Sequence, residues 1–454
     1  MANSTGKSLR NQIIVTIAAV CFLTFVWGAY VAEFHVFPYR LMFRNPFAYV
    51  HAWAQRKGTL DSTSAESHTV SATGQVTIPA GPEAFDGYTL LSFGTARPST
   101  ARLIDMQGHV VHEWHKPSSE IWPNHPQREK AWPDYAMSFR HSQLFPNGDL
   151  LTVVTVSGDT PWGYGLVKLD KDSKVIWSIA DNFHHQFSIG SDGRIYSLVH
   201  YWRDTKERPI PGCPFMPKLV LEDFVVVLSP EGKELSRFSL LDAMAAPGFR
   251  ELLASEIFKS YESEDWDPLH ANDVKIIEPE FAAHHSFMKP GMVVVSLRDL
   301  DALIVLDLTT GSVQWAKRGA WLRQHDPELL SNGDVMLLDN LGNRGGSGES
   351  RILQVNLESN RTTWSYAGTA DHPFESHHAG GLERLPNGNT LIFEDRAGRA
   401  FEVTPDDKIV WEYHDAQLHH ATRIAKDWLK FVPTLPHGLT NAIKPTKDDR
   451  GGDR

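Results

Sequence analysis

Six histidines stand at the head of short apolar segments: HSQLF from His141, HQFSI from His185, HANDVKII from His270, HDPELL from His325, HAGGLERL from His378 and HATRI from His420. Neutral imidazole is a nucleophile, a proton carrier and a metal ligand near pH 7, so six of them in one place would suit group transfer, proton transfer or ion binding. Asn272 lies two positions after His270, so both side chains face the same way from a strand. Arg298 closes the second strand of that repeat, and Arg344 emerges from the Gly-rich turn GNRGG that follows the His325 block. A guanidinium is a planar fork of donors that suits a tetrahedral oxyanion such as sulfate or phosphate. Small residues behind His378 would let a ligand approach.

The spacing says which elements must position these groups. In four repeats a turn follows the His strand: PNGD (146–149), GSDG (190–193), SNGD (331–334) and PNGN (386–389). Three more strands follow, the last ending in an aromatic, as in the outer pairs LIVLDLTTGSVQWA and FEVTPDDKIVWEY. Four strands per repeat, at a period near 40–50, is the pattern of a β-propeller blade, whose first strand lines the central axis. The predicted fold is all-β: a six-bladed propeller behind an N-terminal transmembrane helix. From Tyr88 the chain supplies only the outer strands of a blade, and HATRI at His420 is the expected missing inner strand, closing the ring. Residues 185 and 270 are too far apart for one blade, so an insertion is expected at 203–265. Its two candidates are the Pro-rich 208–218 and 240–263, the second with helical periodicity in its later half that could form a small lid over the channel.

Ile13–Ala32 is a run of 20 residues without a charge, long enough to cross a bilayer. Lys7 and Arg10 precede it, favouring a cytoplasmic N-terminus. The expected organisation is a cytoplasmic segment at 1–12, a single-pass anchor at 13–33, a linker or cap at 34–85, the propeller at 86–428 and a tail at 429–454. The body would then sit on the periplasmic side of the inner membrane. A net charge of −11 without a sustained basic patch offers no footprint for nucleic acid. Cys213 is the lone thiol of the body, so no internal disulfide is expected there.

HANDV followed by VVVSLRDLDALIVLD, QHDPELLSNGDVMLLDN followed by GNRGG, and LPNGNTLIFED followed by FEVTPDDKIVWEY together resemble the bacterial arylsulfotransferases over roughly residues 86–425. The resemblance implies a six-bladed propeller that moves a sulfuryl group from an aryl sulfate to a phenol without a nucleotide donor. It implies His378 as the nucleophile that becomes a sulfohistidine, with His377 of the same doublet as the other positional match. It implies His325 and Arg344 as the pair holding the sulfuryl oxygens and the leaving phenolate, and His270 as a further catalytic histidine. His325 is the expected proton donor to the phenolate, and no metal or other cofactor is expected. Asn272, Arg298, His185, His141, His420 and His377 are assigned to substrate binding.

Other residues take supporting roles in this reading. His184, His284, His285 and His419 are surface or second-rank residues; Asp149, Asp192, Asp334 and Asn387 shape turns; Trp177, Trp315, Trp364 and Trp411 pack between sheets; Asp339 and Asn340 orient Arg344. Two rival functions stand beside sulfuryl transfer: a propeller whose axial histidines hold zinc, copper or iron, and a catalytically silent scaffold docked on a membrane protein. Metal analysis tests the first and turnover of an aryl sulfate the second.

Overall fold

A computed structural model describes residues 74–128, 132–255, 265–395, 397–415 and 417–431, with Thr16, Phe22, Thr24 and Trp27. Most of the Ile13–Ala32 run therefore lies outside the described residues. Among those described, no helix is long and apolar enough to cross a membrane.

A short strand β1 (Gln75–Ile78) precedes the first blade, which contains β2 (Gly87–Phe93), β3 (Thr100–Ile104) and β4 (Val110–His115). Blade 2 is β5 (Met137–Leu144), β6 (Leu150–Val156), β7 (Gly163–Leu169) and β8 (Val175–Ile179). Blade 3 is β9 (Phe183–Ile189), β10 (Ile195–Asp204), β11 (Leu219–Leu228) and β12 (Glu234–Ser239), with the two-residue β13 (Asp265–Trp266) parallel to β11. Blade 4 is β14 (Ala271–Ile276), β15 (Val293–Leu297), β16 (Ala302–Asp307) and β17 (Ser312–Arg318). Blade 5 is β18 (His325–Leu329), β19 (Asp334–Asp339), β20 (Arg351–Asn356) and β21 (Arg361–Tyr366). Blade 6 is β22 (Gly381–Arg384), β23 (Thr390–Glu394), β24 (Arg399–Val403) and β25 (Ile409–His414). The last strand, β26 (Leu418–Ala425), returns to pair with β2 and becomes the inner strand of blade 1. The six-bladed ring and its closure through the His420 segment are those expected from the repeats.

The turns explain the tight hairpins. In PNGD, Gly148 adopts φ +90° and donates to the Phe145 carbonyl, while Asp149 N–H donates to the Asn147 side chain. Gly333 does the same in SNGD, with φ +85°. Only glycine takes this left-handed conformation without strain.

The second strands are wholly buried in β6, β15, β19 and β23. Successive side chains of such a strand face opposite neighbours, so both faces are largely apolar. Val154 packs with blade 1 while Val153 packs with blade 3. Six apolar clusters result, one between each adjacent pair of blades, the last joining Leu391, Phe393 and Trp411 of blade 6 to Leu91, Phe93 and Ile104 of blade 1.

Three features differ from the expectation. Leu240, Leu241, Met244 and Leu253 of the short helices Leu240–Met244 and Arg250–Ser255 bury into the cluster between blades 3 and 4, so this described part of the insertion is a packing wedge and not a lid. Gln75–Ile78, placed in the linker, adds a fifth strand to blade 6 through β25. Leu429 and Phe431, placed in the tail, pack against the cluster between blades 1 and 2.

Trp411 is fully buried and donates from Nε1 to the Met106 carbonyl across the seam between blades 6 and 1. Trp411→Ala is expected to cost about 3–5 kcal/mol of stability, read from equilibrium urea unfolding.

Candidate active site

The histidines reach the axis through a local defect that the inner strands share. Pairing slips at His141 in β5, at His185 in β9, between Ala271 and Asp273 in β14, after His325 in β18 and at His419–His420 in β26. A bulge of this kind bends the strand and re-aims a side chain. His185, His270 and Asp326 hold φ values of +55°, +47° and +49°, conformations costly for residues with a Cβ and common at functional sites.

The bulges bring most of the expected residues together. The His185 ring lies 5.2 Å from that of His270 and 6.5 Å from that of His325, and Trp162 stacks on His270 at 5.2 Å. His141 and His420 form a second pair, 4.2 Å apart. Asn272 is buried and donates to the Gln324 carbonyl at 2.7 Å, next to His325.

Burial is the leading cause that holds these rings neutral. It pushes His270 and His325 down to about 3 and His420 to about 4, and it lowers His141 and His185 well below the ordinary value. The positive field of Arg298 adds to the effect on His270 and His325. Arg140 adds to it on His141, His185, His325 and His420. Arg140 precedes His141 and was not singled out in the sequence. It contacts His419 Nδ1 at 2.8 Å, and that same nitrogen lies 2.8 Å from Asp395. Its one sequence signal is adjacency to an axial histidine.

Each of three rings has its Nδ1 held by a partner. His270 Nδ1 lies 2.5 Å from Asp267 Oδ2. His325 Nδ1–H donates to Asn340 Oδ1 at 2.8 Å, which leaves Nε2 buried without a protein partner. His185 Nδ1 lies 2.7 Å from His184 Nδ1. Asn340 therefore orients His325, not Arg344, and its amide also donates to the Ser376 and Ala379 carbonyls. Asp339 accepts from Leu322 N–H and from Arg351.

His378, His377 and Arg344 are exposed, unlike the axial rings. They sit on two loops that are stitched to one another. Ser350 N–H donates to the Phe374 carbonyl, Phe374 N–H to the Ser347 carbonyl, Ser376 N–H to Ser350 Oγ, and His377 Nε2 lies 3.4 Å from Glu349. Through Asn340 the same network reaches His325. Of the four histidines given supporting roles, only His284 is exposed; His184 and His285 are buried and His419 is partly buried.

A second set of charges shares the inner strands. Lys275 bridges Asp273 at 3.3 Å and Asp326 at 3.1 Å, while Glu328 and Glu383 accept from Arg384 N–H and Arg423 N–H. One group among the described residues, His184, His200 and Asp223, has donor atoms within 4.8 Å of one another. Gly163 N–H donates to His200 Nε2, which places that ring's proton on Nδ1, so this nitrogen has no lone pair for an ion.

A closed six-bladed propeller with neutral imidazoles and guanidinium groups around its axis defines the class of protein. The model of the arylsulfotransferase (ASST) family matches residues 141–416, more than half of the chain, which therefore belongs to that family. No curated protein matches it. Among solved structures, a protein of unknown function from Bacteroides caccae is 15% identical, with a TM-score of 0.46 over 74% of this chain and 99% of that one. The BamB protein of Moraxella catarrhalis is 10% identical, with a TM-score of 0.31 over 75% and 77%. Virginiamycin B lyase of Staphylococcus aureus, inactivated by H270A and bound to quinupristin, is 10% identical, with a TM-score of 0.35 over 63% and 72%. These likenesses carry no functional argument.

Burial pushes the Glu328 carboxyl up to about 8 from 4.5. A raised pKa means that folding favours the protonated form, so this contribution is whole below about pH 4.5 and is lost as pH climbs through 8. The melting temperature of Glu328→Gln is expected to fall less than that of the unaltered protein between pH 5 and pH 9, measured by calorimetry.

Proposed function

We propose that the chain transfers a sulfuryl group from an aryl sulfate to a phenolic acceptor, without a nucleotide donor, through a sulfohistidine at His378. The observation that carries this reading is His325: a neutral ring, fixed by Asn340, whose buried Nε2 has no protein partner and whose support network continues into the loops of His378 and Arg344. In the first half-reaction a His378 nitrogen attacks sulfur; the S–N bond forms as the bond to the aryl oxygen breaks, and the phenolate leaves with a proton. In the second, the acceptor phenol attacks sulfur, the S–N bond breaks, and the phenolic proton passes to the protein. One hard displacement becomes two easier ones, with ping-pong kinetics. Arg344 and Arg298 would meet the charge on the sulfuryl oxygens, and donors already in place need no rearrangement as that charge builds.

Family membership favours this over a silent scaffold or an axial metal centre. A second assignment of the covalent step rests on one observation, the unpartnered Nε2 of His325, which would itself suit attack on sulfur. The reading includes a single-pass anchor at 13–33 with the propeller in the periplasm, which rests on the uncharged run alone.

Incubation with an aryl sulfate is expected to add one sulfuryl group by intact mass, mapped by peptide sequencing to His378. His378→Ala should abolish the gain and His377→Ala should keep it. A label on His325 that survives His378→Ala would move the covalent step there, and no gain in the unaltered protein would end the case for sulfuryl transfer.

A further inference from the structure

We propose that Asp223, through the His184 ring whose Nε2 faces it at 3.4 Å and whose Nδ1 meets His185 Nδ1 at 2.7 Å, makes His185 the proton-transfer group of the axial site. This deepens the sulfuryl-transfer reading and rests on it. The three residues belong to blade 3: His184 and His185 on β9, and Asp223 on β11 with β10 between them. All three are buried, His184 completely.

Every donor in this chain of groups follows from its two ends. A backbone N–H only donates and a carboxylate only accepts. Gly163 N–H donates to His200 Nε2, so His200 carries its proton on Nδ1, which faces Asp223 Oδ1 at 4.0 Å. Ala271 N–H donates to Asp223 Oδ2 at 2.8 Å, leaving Oδ1 to face His184 Nε2 at 3.4 Å. With its proton on Nε2, His184 offers a bare Nδ1, and His185 Nδ1–H donates to it across 2.7 Å. His185 Nε2 is thereby left with a free lone pair. The charged and titratable groups acting on this ring are His184, His270, Arg140 and His325.

The difference from His325 is chemical. The Nδ1 partner of His325 is the neutral amide of Asn340, which orients the ring and favours a positive charge on it through a single hydrogen bond without a counter-charge. The relay behind His185 ends in a carboxylate, which stabilises an imidazolium. In the donor half-reaction the S–N bond forms as the O–S bond breaks, and His185 Nε2 carries the proton shed by the sulfonated His378 ring to the departing aryl oxygen. In the acceptor half-reaction the phenolic O–H gives its proton to the same nitrogen while the new O–S bond forms and the S–N bond breaks. The proton lost in the first step returns in the second. His185 is the catalytic residue here, and His184 and Asp223 are positioning residues.

The test uses the full chain with acceptor phenols of graded acidity. Acidic phenols need little help from a base, whereas weakly acidic ones depend on it. Asp223→Asn, isosteric and still able to accept from Ala271 N–H, should lower kcat/KM about 100-fold for a weakly acidic phenol. The loss should shrink to a few-fold for a nitrophenol, and the acid limb of the pH profile should move to lower pH. His184→Gln should behave alike. An equal loss with every acceptor, or an acidity dependence that follows Asp267→Asn instead, would overturn the proposal. Long-range proton–nitrogen spectra of histidine-labelled protein give a readout that needs no turnover. They should place the His185 proton on Nδ1, and a proton on Nε2 would overturn the relay even if sulfuryl transfer stands. If the unaltered protein shows no transfer, the functional reading fails instead, and the spectra still decide the relay.

Discussion

Everything at the axis depends on one antiparallel pairing, that of Leu418–Ala425 with Gly87–Phe93. The blades otherwise meet mainly through side chains, and this ladder completes blade 1 from the two ends of the propeller. It supplies Leu418 and Ala421 to the apolar cluster between blades 6 and 1, and it carries His419 and His420 inward. Without it blade 1 has no inner strand, and the imidazoles of blades 2 to 5 lose the enclosure that keeps water from them.

That enclosure determines the chemistry. A histidine in water is partly charged near neutrality, and several together would repel one another. Burial removes the charge first, and mutual repulsion and the nearby arginines lower basicity further. The resting site is thus a set of neutral rings with fixed tautomers beside permanent cations, a combination that attracts an anion without charging the imidazoles in advance. The second set of groups, Lys275 with Asp273 and Asp326, is balanced by ion pairing instead.

Much of this was legible in the sequence, because propeller repeats make local pattern and global position nearly the same statement. The recurring His strand and the Gly turns each have one physical reading, and together they gave six blades and the closing strand. The site was legible only in outline. Which residues line the axis follows from period; which way a ring points depends on a bulge of one or two residues that the sequence does not mark. Arg140 and Asp223 belong to the site through contacts between strands distant in sequence, and nothing local distinguishes them from other charges. Asn340 was tied to the wrong partner for the same reason. The Leu240–Met244 helix was misjudged because amphipathic periodicity reports a buried face but not what buries it.

Strand β1 is easily passed over, yet its place alters how the ring would bear load. Gln75–Ile78 is laced to the outermost strand of blade 6, and the Thr77 hydroxyl donates to Glu412 at 2.6 Å. Tension arriving from the amino-terminal side meets this four-residue ladder before it reaches Gly87 and the closing pair. A short zipper of this kind yields pair by pair, lengthening the tether while the annulus stays shut. The propeller carries, in effect, a mechanical fuse outside its own closure.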